Sequence, residues 1–425
     1  MDVPLSSAAD SAQNPTDVDQ PAALGEWDCK ANDVITFKLD SGGQAGEWGV
    51  FGPTLTHQVF ENQLIRGYKR PRVSVLYTAD SLLAFLRFDY DEKRFRTPLA
   101  RGEEQQVITD VPGLLAKWLP PSGVASSFDD FAREVGRPFE PPGDKIHSYT
   151  VESSGGSGTS ATDDGTTVEY EIRKGSFAME DLRQYHERIQ LFLIWFIDRS
   201  SYIDDTDLDW ELYFIFEKRR TFGETRYSIV GYATVYPFFS FPDQRRLRIS
   251  QFLILPPFQK QGHGEQLLRA IYREAWGRTG LYESVRDITV EDPSPEFKLL
   301  RDITDLRLCL ESGFLKGVPG DKIDPEQLRA VQSRFKLAKS QIEHLHEVLR
   351  YVHLDRCDEQ VVTRFRLSVK RRLHKKYQDW LAGFEAGEAR KKELDDIYRE
   401  EIEGVYSSLA RRLRTHLPPL PHSPK

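Results

Sequence analysis

Hydrophobic and polar residues alternate in three short runs early in the chain: Val34 to Leu39 (VITFKL), Val73 to Tyr77 (VSVLY) and Leu83 to Phe88 (LAFLRF). Such alternation between polar flanks predicts strands. Proline-rich punctuation at 119–123 (LPPSG) and 139–143 (FEPPG) closes a small α/β block near residue 145. Two strand-like stretches, HSYTVE and TVEYEIRK, flank the low-complexity segment Ser153 to Thr167, which predicts a hairpin with a long flexible loop. From Glu180 to Arg199 the apolar residues Leu182, Tyr185, Ile189, Leu193, Phe196 and Ile197 recur at helical spacing. Strands follow at Glu211 to Glu217, Ser228 to Val235 and Arg248 to Leu255. A helix over Gly264 to Trp276, with Leu267, Leu268, Ile271, Tyr272 and Ala275 as its buried stripe, leads to a strand at Val285 to Val290. A strand, a crossover helix and a second strand imply a parallel pair. Asp324-Pro325-Glu326 is a cap with proline at the first helical position, and charged amphipathic sequence predicts helices from there to about Arg414. The order of elements is that of a mixed α/β (α+β) protein.

Composition narrows the class without giving a chemistry. The 425 residues are 39% hydrophobic and 29% charged, and the mean hydropathy is −0.52. The longest purely apolar run, Leu191 to Ile197, is far short of the roughly 20 residues of a membrane span. The N-terminus has neither the basic start nor the apolar stretch of a secretory signal. Residues 1–25 and 416–425 read as loose tails. Cys29, Cys309 and Cys357 lie far apart with no CxxC pair, which argues against a disulfide framework or a cysteine zinc site. His344, His346 and His353 do not form HExxH, so no metal is expected. The net charge of −8 favours a basic partner over nucleic acid. The basic run Arg364 to Lys376 reads as an import signal, a contact for an acidic partner or a charged helix face.

The informative segment begins at the apolar strand Phe252-Leu253-Ile254-Leu255, stops at Pro256-Pro257 and enters a helix through Gln259-Lys260-Gln261-Gly262-His263-Gly264. A helix N-terminus offers unpaired N–H groups and the positive end of a dipole, which together hold a phosphate or pyrophosphate. Glycines there let the backbone approach without a Cβ in the way. The loop has no GK[ST] and no GxGxxG, so it is neither a Walker A loop nor a Rossmann fingerprint. Its Gln-x-x-Gly-x-Gly pattern resembles motif A of the GNAT acetyltransferases. The wider context QFLILPPFQKQGHGEQLL, DITVEDPS and LRD, with THQVF, GYK, YHERIQLFLIWFID, VGYATVYPFF, FK and KRRL elsewhere, resembles the type B histone acetyltransferase catalytic subunits over most of residues 27–380.

That resemblance implies a GNAT fold with an N-terminal α/β substrate-binding domain (26–145), a catalytic domain (146–318, with a flexible loop at 153–167) and a C-terminal helical domain (319–415). It implies that Phe252, Leu253 and Ile254 bind acetyl-CoA through a splayed strand, and that Gln259, Lys260, Gln261, Gly262, His263, Gly264 and Glu265 hold its pyrophosphate. Ser294 falls at a further cofactor position and Glu291 at that of the general base. Asp198 falls where the family can carry a catalytic Glu. Asn62 and Gln63 fall near an acidic stretch at the substrate tail, and Trp210, Tyr236, Pro237 and Phe238 match positions lining the tail groove. The implied activity is acetyl transfer to tail lysines of free, newly made histone H4, linked to chromatin assembly. A WD40-repeat histone chaperone is the implied partner, with a nuclear and cytoplasmic distribution and no nucleic-acid or membrane contact.

Chemistry supports a base independently. A free lysine has a pKa near 10.4 and must lose a proton before it can attack a thioester, and a carboxylate at a strand end can take it. Several residues also have structural readings. Asp292, next to Glu291, reads as a further catalytic carboxylate or, since it precedes Pro293, as a helix N-cap, and Asp198 reads as an acid near a helix C-terminus, against the dipole. Asp204 to Asp209 reads as a lure for a basic tail or as a solvated loop, and Trp210 and Tyr236 as groove or core. The rival functions are a GNAT enzyme with another protein or amine acceptor, and a non-catalytic histone-binding scaffold.

Overall fold

The computed structural model describes residues 25–42, 48–94, 108–152, 167–221, 223–315 and 320–413. The predicted tails and the predicted 153–167 loop, Thr167 apart, thus lie almost entirely outside the described residues.

The N-terminal block is built on a four-stranded sheet of β1 (Ile35–Asp40), β2 (Trp48–Phe51), β3 (Arg72–Thr78) and β4 (Ala84–Asp89), in the order β2-β1-β3-β4. The predicted runs fall on β1, β3 and β4, and the alternation in β1 puts Ile35, Phe37 and Leu39 in the core.

The central sheet has six strands: β5 (Asp144–Glu152), β6 (Thr167–Ser176), β7 (Glu211–Thr221), β8 (Glu224–Ser240), β9 (Gln244–Ile254) and β10 (Val285–Val290). They lie in the reverse of chain order, β10 to β5, and every neighbouring pair is antiparallel except β9 and β10. A parallel pair needs a crossover, here α3 (His263–Gly277), preceded in the chain by α1 (Glu180–Ile189) and α2 (Leu193–Phe196). After β10 come α4 (Pro295–Glu311), α5 (Pro325–Phe335), α6 (Lys339–Val352), α7 (Glu359–Lys376), α8 (Glu388–Glu400) and α9 (Ser407–Leu413). The basic run lies on α7, where Phe365, Val369 and Leu373 are buried and Lys370 and Arg372 are paired with acids.

Each face of the central sheet is covered by its own core. One joins Tyr213, Val235, Leu247 and Ile249 to Leu268 and Ile271 of α3, Leu306 of α4 and the C-terminal helices. The other joins Phe214, Tyr232 and Leu253 to Phe192, Leu193 and Trp195 and, beyond them, to Phe37 and Tyr77 of the N-terminal sheet.

The single helix expected from Glu180 to Arg199 is broken. It passes through a 3-10 turn at Gln190–Phe192, and α2 ends at Phe196 with Ile197 extended. The cause is local: Leu191 to Trp195 are all buried, so one-sided periodicity no longer applies, and the Trp195 carbonyl accepts from Thr54 N and Leu55 N of the N-terminal block. Asp198 therefore lies beyond the helix, and the dipole argument does not apply to it.

Gly231 of β8 lies close against β9, and a Cβ there would sit 2.4 Å from the Leu253 carbonyl oxygen. Gly231→Ala is expected to cost about 1–3 kcal/mol through overpacking. The check is a urea titration in which the midpoint falls while the slope is unchanged; an unchanged midpoint would contradict the close approach.

Candidate active site

Strands β9 and β10 pair from Arg245 opposite Val285 to Ile249 opposite Val290. The last link is the Glu291 N–H donating to the Ile249 carbonyl at 2.9 Å. Past that point β10 is gone. Asp292 takes a left-handed φ of 32°, Pro293 has no N–H, and Ser294 caps α4 by accepting from Phe297 N at 3.2 Å, with Pro295 as the first helical residue. The expected N-cap at Asp292 is thus corrected to Ser294, whose hydroxyl serves the helix.

Strand β9 runs on alone against β8, and a wedge opens on its other edge. The register shift between β8 and β9 leaves Ser250 as a bulge, with Gln251 opposite Thr234 and Ile249 opposite Val235. One extra residue exchanges the two faces of a strand. Leu247 and Ile249 face the helix-side core, whereas Leu253 faces the N-terminal-side core and Phe252 and Ile254 pack toward the helices. The bulge also brings the Ser250 hydroxyl to Glu291, donating to Oε2 at 2.6 Å. Glu291 is otherwise exposed at the mouth of the wedge.

Leu255 N donates inward to Val230 O. By alternation Leu253 also bonds inward, and the backbone groups of Phe252 and Ile254 point into the wedge. The Ile254 carbonyl is taken by Gln259 Nε2 at 2.8 Å. That leaves the Phe252 N–H and C=O and the Ile254 N–H facing the opening.

The wedge runs into the glycine loop. Gly262 is the N-cap of α3 at φ 91°, open around its missing Cβ. The first intrahelical bond is Gln266 N to Gly262 O, so the N–H groups of Gly262, His263, Gly264 and Glu265 lack helical acceptors. Their side chains do less than the resemblance implies. Gln261 folds back onto the Pro257 carbonyl, and Glu265 pairs with Arg269 and Arg307. The His263 imidazole turns into the core, where Nδ1 meets Tyr149 Oη at 2.8 Å and the ring lies 4.4 Å from that of Tyr170. Burial pushes its pKa down to about 4. His263 therefore offers a ligand only its backbone N–H.

The predicted substrate-side residues form two groups. Trp210, Tyr236 and Phe238 make an aromatic ladder with centroids 4.9 and 4.7 Å apart, and the Arg248 guanidinium lies 4.6 Å over Phe238. Pro237, the residue between Tyr236 and Phe238 in β8, is buried. The Tyr236 phenol is held above its usual range, chiefly by its hydrogen bond to Asp207. In the acidic run Asp204 accepts from Thr206 N and Oγ1, so part of it is built into the loop. In the second group, Asp198 pairs with His57 at 3.1 Å, beside Gln58, which donates to the Ile197 carbonyl. Asn62 and Gln63 are exposed, with φ of 51° and 58°. Gln251 Nε2 ties β9 to the Ser201 carbonyl near this second group. Ser250, Tyr149 and Arg248 were not foreseen, because each acquires its place from strand register. Among the described residues no group of three or more His, Cys, Asp or Glu side chains is placed to hold a metal ion.

An opened strand pair leading into an anion-binding loop agrees with the GNAT acetyltransferase class, and residues 180–295 match the model described as "Acetyltransferase (GNAT) family". Residues 27–198 match "Histone acetyl transferase HAT1 N-terminus". The chain is 33% identical over 380 residues to the histone acetyltransferase type B catalytic subunit of Cryptococcus neoformans, covering 83% of this chain and 88% of that one. It is 34% identical over 364 residues to that of Mus musculus (84% and 82%) and 34% over 363 residues to that of Homo sapiens (84% and 82%). The chain belongs to the family of type B histone acetyltransferase catalytic subunits and is an acyltransferase of the GNAT class.

Buried His263 and His186, the latter pushed to about 3, stay neutral in the folded protein down to a pH at which the unfolded chain has already taken up protons. Their contribution is complete above about pH 6.5 and is lost as pH falls toward 4. In urea titrations at pH 7.5 and 5.0, His263→Asn is expected to show a smaller pH-dependent change of midpoint than wild type. Equal changes would contradict the buried neutral imidazole.

Proposed function

We propose that this protein transfers acetyl from acetyl-CoA to lysines in the N-terminal tail of free, newly made histone H4, with both substrates bound together and Glu291 as general base. The observation that carries the proposal is the Glu291 carboxylate at the mouth of the wedge, fixed by its own backbone bond to Ile249 and by the Ser250 hydroxyl.

The donor set suits acetyl-CoA. The outward Phe252 and Ile254 backbone groups can pair with the amides of the pantetheine arm as a neighbouring strand would, and the free N–H groups at the start of α3 can take the pyrophosphate. The lysine ammonium gives a proton to Glu291, directly or through water. Ser250 occupies one carboxylate oxygen and leaves the other free to accept. The neutral amine then attacks the acetyl carbonyl, and the charge developing on its oxygen is met by a wedge-facing N–H of β9. As the tetrahedral adduct collapses, the nitrogen gives up its second proton, the C–S bond breaks, and coenzyme A leaves as the thiol with that proton on its sulfur. Asp292, next to Glu291 on a left-handed turn, and Asp198, paired with His57, are the second candidates for the proton transfer. The aromatic ladder and the acidic loop beside it form the groove for a basic tail. A WD40-repeat histone chaperone is the partner, and the protein acts in nucleus and cytoplasm in support of chromatin assembly.

The test is transfer of labelled acetyl to an H4 tail peptide across pH, with wild type beside Glu291→Gln. The variant is expected to fall roughly a hundredfold while binding acetyl-CoA as wild type does. Equal activity would move the base elsewhere, with Asp198 and Asp292 next in line. A wild type that binds acetyl-CoA but modifies no histone peptide would replace this reading by another acceptor or a scaffold.

A further inference from the structure

Helix α7 carries the basic run from Arg364 to Lys376, seven lysines and arginines in 13 residues with no acid. Part of that charge serves the fold. Lys370 pairs with Asp395, and Arg372 with Glu347 and Glu401. His374, Lys375 and Lys376 lie in the last turn, where the negative end of the helix dipole favours them. Arg364 and Arg371 gain from neither. Seven residues apart, they stand two turns from each other on one side of the helix, turned away from buried Phe365, Val369 and Leu373. Both are exposed, and among the described residues neither guanidinium has a carboxylate partner. Lys375 continues the stripe one turn on. Leu367 lies between the two arginines on the same side and is 51% exposed. A helix face that only needs solvating mixes the two signs along its length. Helix α8, joined to α7 by the Lys370–Asp395 pair, does so: Lys391 pairs with Glu388 and Arg399 with Asp396. The α7 stripe instead sets like charges four apart, at Arg371 and Lys375, and leaves a leucine in water. Neither choice helps the fold.

We propose that this face of α7 is a docking surface for an acidic segment of a protein partner that carries an apolar residue between its acids. Arg364 and Arg371 take the carboxylates, with Lys375 at the rim, and Leu367 takes the apolar side chain. The leucine favours a protein over a nucleic acid, whose phosphates have nothing apolar to lay on it. Charge favours the same choice. The chain carries −8 overall, which repels a long polyanion running past the surface. A short acidic segment matched to the stripe, roughly 16 Å of helix from Arg364 to Lys375, escapes most of that repulsion. The surface shares no residue with the wedge, so the inference stands apart from the acetyl-transfer reading.

Fluorescence anisotropy with the full chain tests this on three labelled probes: a glutamate-rich peptide with a central leucine, the same peptide with glutamine for glutamate, and a short DNA duplex. Wild type is compared with the double variants Arg364→Gln with Arg371→Gln and Arg364→Lys with Arg371→Lys, and with Leu367→Ser, each with a thermal melt. None is expected to melt below wild type, because these side chains do nothing for the fold. Wild type should prefer the glutamate peptide to both other probes, and its affinity should fall as salt rises. The glutamine double variant should bind that peptide about three- to tenfold more weakly, with a shallower salt dependence. The lysine double variant should stay near wild type. Leu367→Ser should lose about two- to fivefold with the salt dependence unchanged. The proposal is overturned if wild type does not bind the glutamate peptide, or if the glutamine double variant binds it equally well. Tighter binding of the duplex, lost in that variant, overturns it in favour of nucleic acid.

Discussion

Two strands that start as hydrogen-bonded neighbours cannot separate inside a protein without leaving polar backbone exposed to whatever fills the gap. The parting of β9 and β10 at Ile249 and Glu291 is that event here, and the rest of the structure is arranged around it. A buried amide left without a partner costs about as much as a lost hydrogen bond. The Phe252 and Ile254 groups therefore need water or a ligand with amides of its own. Three local features hold the strands apart. The Ser250 bulge exchanges the faces of β9, the left-handed turn at Asp292 ends β10, and the Ser294 cap starts α4 in a new direction.

The separation also depends on packing some distance away. Arg301 of α4 donates to the Ile288 carbonyl of β10 and lies beside Asp305, which in turn accepts from Tyr272 of α3 and Gln341 of α6. Gln341 and His344 both bond Asp302, so one connected polar network joins the crossover helix, the strand and the C-terminal helices. Burial pushes the Asp305 carboxyl up to about 6. Such a network is costly if any member is left unsatisfied, and it favours one arrangement of the elements it links. The C-terminal helices thus help hold β10 in its diverging position. On the other face, β9 is held by Leu253, packed in the core shared with the N-terminal sheet, and by the Gln251 bond to Ser201 in the segment after α2.

Legibility in the sequence followed the range of the interactions. Strand β1 and the helix α3 are readable because each buries one stripe of its own residues, β7 because its apolar run is buried on both faces, and the glycine loop because its chemistry is contiguous. The bulge was not readable, since Ser250 looks like any polar residue in an alternating strand until a partner fixes the register. Asp292-Pro293 and Ser294-Pro295 are equally good cap-and-proline pairs on paper. Only the need for β10 to reach Glu291 selects the second. His263 looked like a ligand between two glycines, but Tyr149 and Tyr170, on strands far away in sequence, draw its ring inward. The break before Asp198 was hidden because the run from Leu191 to Ile197 is apolar on every side.

The central claim is that the wedge-facing edge of β9 is completed by the cosubstrate. Amide hydrogen exchange read peptide by peptide, with and without acetyl-CoA, tests it most directly. The account predicts that acetyl-CoA slows exchange in two places, the Ser250 to Ile254 stretch and the Gly262 to Glu265 amides, with little change on the β8 side of the sheet. Protection of the loop alone, with the β9 edge exchanging as fast as in the free protein, would contradict it.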